Sequence, residues 1–144
     1  GVQVLNDMGD YMFSQYAGNW IPDSNARRRA ILERLSSWAP FSNSSPVEGI
    51  TKAIGRFYAA DKKISLYVFG DDFSGGMMQN VVDTIRNRNA AGSGRNSRVR
   101  IHTVGFPVLL AQPGAAQNAA RFAALMRRLA EDNNGSFVGL PALR

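Results

Sequence analysis

Two adjacent carboxylates, Asp71 and Asp72, directly follow the apolar run Ile64-Ser65-Leu66-Tyr67-Val68-Phe69 and Gly70. Helical spacing resumes just beyond them, at Met78, Val81, Val82 and Ile85. A strand that ends in acids and leads into a helix is how open α/β sheets set ligand-binding groups at their carboxyl edge. Carboxylates and hydroxyls gathered there would hold a hard cation or meet a polar partner. The hydroxyl candidate is Ser45, in Ser45-Pro46-Val47-Glu48. A serine at the cap, proline at the first helical position and Glu three after the cap also make a capping box, which accounts for Ser45 without a ligand. Asp71 and Asp72 have a plain role too, since acids favour the positive amino end of the following helix.

Other reactive groups are sparse. His102 is the single histidine and lies inside an apolar strand, where the expectation is a packed core residue. Gly75-Gly76 precedes a helix, but no Gly-rich Lys-Ser/Thr phosphate loop accompanies it. Met77-Met78 reads as core filling, and Trp20 and Trp38 read as buried anchors. The chain has no cysteine, which excludes disulfides, thiol catalysis and thiolate metal sites. The net charge of +6 comes mostly from arginines spread over Arg27 to Arg29, Arg86 to Arg100 and Arg121 to Arg128. They lack the aromatic interleaving of single-strand binders, so a solvated basic face is favoured over a nucleic-acid surface.

The elements that would position these groups fit one soluble globular domain over 1–144, long enough for a real core. No apolar run approaches the roughly 20 residues of a membrane helix, and no secretory signal opens the chain. Val2 to Leu5 reads as a short strand, and Asn6 to Pro22 as a hairpin or short helix. A helix capped by Asp23 or Ser24 follows, with Ile31, Leu35 and Trp38 as its inward stripe. The next carries Val47, Ile50, Ile54 and Phe57 on one face. Then come a strand from Ile64 to Phe69, a helix from Met77 to Asn89, and a loop from Ala90 to Ser97. A strand from Val99 to Val104 is followed by an irregular connection from Pro107 to Gln117. A helix marked by Phe122, Leu125, Met126 and Leu129 closes at Asn133-Asn134-Gly135 on a left-handed residue, before a strand from Ser136 to Leu140. Alternating strands and helices predict a parallel, helix-covered sheet, with the two central strands buried on both faces.

From Ile21 to Leu140 the chain resembles a von Willebrand factor A domain. Arg100-Ile101-His102-Thr103-Val104-Gly105-Phe106 and the stretch from Leu125 to Val138 are the closest matches. Ser45-Pro46-Val47 is similar to the family's Thr loop, with Ser in place of Thr. Gly70-Asp71-Asp72 is similar to its Thr-Asp-Gly turn, with neither Thr nor Gly kept. The resemblance implies a three-layer, mostly parallel, doubly wound (Rossmann-like) sheet. It also implies a metal-ion-dependent adhesion site in which Ser45 and Asp71 match two ligand positions.

The family's Asp-x-Ser-x-Ser loop has one counterpart here, Asp7-Met8-Gly9-Asp10-Tyr11, with Gly and Tyr where hydroxyls belong. Asp7 is a ligand candidate only if Val2 to Leu5 is the first strand. The favoured alternative assigns Val2 to Leu5 to the family's hairpin region, with the first strand outside this chain. Either way the ion site is incomplete, so no cofactor is expected to bind tightly and Mg²⁺ only weakly. The expected function is non-enzymatic protein binding, with Asp72 and Phe106 on the contacting edge, no membrane span, and self-association through exposed sheet edges. The alternative is a Mg²⁺-dependent phosphoryl hydrolase using Asp71 and Asp72.

Overall fold

A computed structural model describes residues 1–74, 76–92, 96–106 and 113–141. Three parallel strands, β1 (Ser65–Gly70), β2 (Arg100–Gly105) and β3 (Phe137–Gly139), lie in the order β1-β2-β3. Four helices accompany them: α1 (Asn25–Ser37), α2 (Val47–Phe57), α3 (Met78–Asn89) and α4 (Ala115–Asp132). β1 and β2 are neighbours, with Leu66 opposite Ile101 and Val68 opposite Thr103, as the apolar runs predict. The strands advance in one direction through α3 and α4. Crossovers of one hand therefore put both helices on the same face.

That shared face holds the core. Ile50 and Ile54 of α2, Val81, Val82 and Ile85 of α3, and Phe122, Leu125, Met126 and Leu129 of α4 pack with Ile101, Leu66 and Val68. Each fully buried aliphatic side chain contributes about 1.5–3 kcal/mol relative to exposure. Two buried asparagines fasten the amino end of β2 to the helix ends. Asn89 donates to the Val99 carbonyl (2.9 Å) and to Asn133 Oδ1 (2.8 Å), and accepts from the Val99 amide (2.9 Å). Asn133 in turn donates to the Leu129 carbonyl. The left-handed residue that ends α4 is Asn134, at φ 58°.

The opposite face of the sheet is open among the described residues. Tyr67 is 58% exposed, Phe69 61% and Val138 50%. Burial on both faces was expected of β1, but it alternates residue by residue. His102 is correspondingly not a core residue. It lies on the open face, stacked on Tyr67 with ring centroids 4.9 Å apart, and its Nδ1 accepts from the Ser136 amide.

Two further expectations are corrected by packing. Ser24 does cap α1, accepting from the Arg27 amide, but the stripe on this helix does not face inward. Leu32 and Leu35 are exposed, and α1 packs on no other described helix or strand. Val2 to Leu5 does not join the sheet. Val2 bridges Ile21 and Leu5 bridges Tyr11, both antiparallel and isolated. The segment from Asn6 to Pro22 contains only a 3-10 turn, Ser14–Tyr16, and wraps the flank of α2, where Trp20 and Tyr11 pack on Phe57. Trp20 and Trp38 are half-buried, and Met77 is exposed while Met78 packs against the core. Gly75 and most of the Pro107 to Gln117 connection lie outside the described residues, as does the middle of the Ala90 to Ser97 loop.

Candidate functional site

At the carboxyl end of β1 the chain leaves a cleft of about 300 Å³. Its floor is apolar, built from Leu5, Trp38, Val68, Phe122 and Met126. Its rim is polar: Asp7, Ser42, Ser44, Ser45, Asp71 and Asp72. Three sequence segments thus supply the rim, and Asp7, Ser45, Asp71 and Asp72 all line this one cleft. Phe106 does not line this cleft. It lies beside it on the open sheet face, stacked with Phe69 at a centroid distance of 6.2 Å.

Each segment is held by identifiable contacts. Asp71 and Asp72 follow directly from the end of β1, where the Gly70 carbonyl accepts from the Phe106 amide at 2.8 Å. The serine loop is pinned to the acidic one by the Ser74 amide donating to the Ser44 carbonyl at 3.1 Å. Ser44 sits at φ 53°, an uncommon conformation for a residue other than glycine. Asp7 arrives by a route that does not need Val2 to Leu5 as a sheet strand. Its carbonyl accepts from the Gly49 amide of α2 at 2.7 Å, so the Asn6–Asp7 backbone docks on the amino end of that helix.

This docking corrects the reading of Ser45. α2 begins at Val47 with no side-chain cap, and Pro46 occupies the cap position. With the helix starting one residue later than the box requires, the nearby Gly49 amide donates to the Asp7 carbonyl and to no side-chain cap. Ser45 is anchored through its backbone, whose amide donates to Asn43 Oδ1. Its hydroxyl is therefore not committed to the capping box.

Asp7 is the most constrained acid in the cleft. Its Oδ2 accepts from Ser42 Oγ at 2.7 Å and from the Asn43 amide at 3.2 Å. Its Oδ1 is buried and meets no hydrogen-bond donor among the described residues. Ser42 is the functional residue that sequence reasoning missed, since the run Ser42-Asn43-Ser44-Ser45 reads only as a polar helix end. Four hydroxyl or amide side chains in a row, opposite an aspartate loop, were the available signal.

No protein-family model, curated protein or solved structure matches this chain. The chemistry of the cleft must therefore be judged on its own donors.

The rim's carboxylates and neighbouring hydroxyls are the hard-oxygen donors a divalent cation prefers, and the undonated Asp7 Oδ1 suits one in kind. In number the set is short. Among the described residues no three Asp, Glu or His side chains gather into one potential metal group. Arg121 reaches the segment that follows the acidic loop, where its guanidinium donates to the Gly76 carbonyl and lies over the Phe73 ring.

Proposed function

We propose that this chain is a non-enzymatic protein-binding module of von Willebrand factor A type, making contact through the cleft at the carboxyl end of β1. The observation that carries this reading is the convergence of Asp7, Ser45 and Asp71 on one open cleft with an apolar floor. Apolar floors with a few convergent polar groups suit a protruding side chain of a partner. The parallel order β1-β2-β3 and the acids after β1 are what such a doubly wound domain has on one side of its switch point. Where a divalent cation binds, Asp7, Ser45 and Asp71 are the residues that would hold it, and the ion would offer an open position to a partner's carboxylate. With so few protein ligands it would keep most of its water, so its affinity is weak.

The test pairs binding with catalysis. Immobilised wild-type chain should capture a defined partner that an Asp7→Ala/Asp71→Ala double variant fails to retain, and calorimetry should give no tight Mg²⁺ isotherm. A sweep of phosphate esters with Mg²⁺ or Mn²⁺ should show no turnover. Hydrolysis abolished by Asp71→Asn would overturn the reading in favour of a phosphoryl hydrolase.

A further inference from the structure

The outer edge of β1 pairs with no strand among the described residues. Its backbone polarity can be read residue by residue. The Ile64 carbonyl accepts from the Arg100 amide (3.0 Å) and the Gly70 carbonyl from the Phe106 amide (2.8 Å). Successive residues of a strand direct their amide and carbonyl to opposite sides. Even-numbered residues therefore face β2, and Ser65, Tyr67 and Phe69 present theirs outward. Such an edge is a template for another strand.

The charges flanking this edge are self-complementary. Lys62 and Lys63 precede the strand, Asp71 and Asp72 follow it, and all four are exposed. None of them forms an ion pair within the chain among the described residues. We propose that two copies of this chain associate by antiparallel pairing of β1 with β1 about a two-fold axis at Tyr67, giving one continuous six-stranded sheet. In this register Tyr67 faces Tyr67 of the second copy and Ser65 faces Phe69, so all three outward-facing residues of each strand exchange hydrogen bonds. The same register brings Lys63 opposite Asp71 and Lys62 opposite Asp72, twice over. Sliding by two residues one way sets Asp61 against Asp71, a like-charge contact, and sliding the other way leaves Lys63 opposite Phe73. Charge and backbone polarity thus select one alignment, and the two-fold contact is isologous. The pairing shares Asp71 and Asp72 with the rim of the cleft, and the cross-linking pattern below tests it without reference to any cleft ligand.

The native chain has no cysteine, so single introduced thiols report the register without background. Tyr67, Ser65 and Phe69 are exposed, so replacing them removes no core contact. Opposed residues in such a pair lie about 5.5 Å apart at Cα, within the range a disulfide spans. A four-residue offset separates them by roughly 13 Å.

Mild oxidation should therefore cross-link Tyr67→Cys with itself, leave Ser65→Cys or Phe69→Cys alone without a cross-link, and cross-link those two when mixed. By sedimentation the wild-type chain should be dimeric at tens of micromolar. Lys62→Glu/Lys63→Glu should weaken association about tenfold or more, and mixing it with Asp71→Lys/Asp72→Lys should restore a dimer. A wild-type monomer at these concentrations overturns the proposal and leaves the edge to a strand of another molecule. A dimer that cross-links equally at all three positions, or that ignores the charge reversals, overturns it as well.

Discussion

Replacing Gly49 by alanine tests whether the cleft is held by the docking of the amino-terminal segment on α2. In a helix interior this change normally gains about 0.5–1 kcal/mol from chain entropy. Here the new Cβ would stand 2.6 Å from the Asn6 carbonyl oxygen and 3.0 Å from that of Asp7. Both are backbone atoms, so the Asn6–Asp7 segment must retreat by several tenths of an ångström. That motion strains the 2.7 Å bond from the Gly49 amide to the Asp7 carbonyl. A buried donor left unpaired costs about 1–3 kcal/mol, and the steric cost arises from the same displacement, so the two are not summed. After the helical gain, a net loss of about 1–2 kcal/mol remains. Gly55 of the same helix is the control. A Cβ there meets only the end of the Arg88 side chain, which can swing away. Gly55→Ala should therefore gain up to about 1 kcal/mol. Urea denaturation of both variants gives the comparison, and amide exchange at residue 49 should accelerate only in Gly49→Ala. Equal stabilisation by the two substitutions would refute the docking argument.

Three other outcomes follow from contacts described above. Ser45→Ala should change stability by less than about 0.5 kcal/mol, because its hydroxyl caps nothing; a loss above 1 kcal/mol in urea denaturation would restore the capping role. Asn89→Ala strands the Val99 amide, the Val99 carbonyl and Asn133 Oδ1, so thermal and urea melts should report a loss of about 3 kcal/mol or more. The hydrogen bond from Arg28 and then its charge hold the Asp23 carboxyl below the ordinary aspartate value. The stabilisation is thus present above the unfolded-state pKa and is lost as pH falls through the depressed folded one. An NMR titration of Asp23 should rise toward the ordinary value in Arg28→Ala.

Much of the fold was legible because periodicity and burial agree on α2, α3 and α4, and because the apolar runs located the paired strands β1 and β2. Ile50, Ile54 and Phe57 are buried on the face their spacing indicates. Asp71 and Asp72 were found because a strand end followed by acids is a local pattern. Ser42 and the docking of Asp7 on Gly49 were not, since both rest on contacts between distant segments. The capping box misled because α2 starts at Val47 with Pro46 at the cap position, while a carbonyl from the distant residue 7 takes the Gly49 amide. His102 was misplaced because an apolar strand usually means two covered faces, and here one face is open.

The helix α1 stands apart from the rest of the chain, tied to it by its flanks and by Arg27 reaching the Tyr16 hydroxyl at 3.3 Å. Thirteen residues that pack on no other described helix or strand are close to the length at which a helix is marginal in water. Its backbone amides should therefore exchange with solvent far faster than those of α4, and it should melt before the sheet does. A molecule that rests on Leu32 and Leu35 would find them part of the time on a formed helix and part of the time on coil. Its apparent affinity would be reduced by the coil fraction, so substitutions that raise helix content on the far side of α1 would tighten binding without touching the ligand.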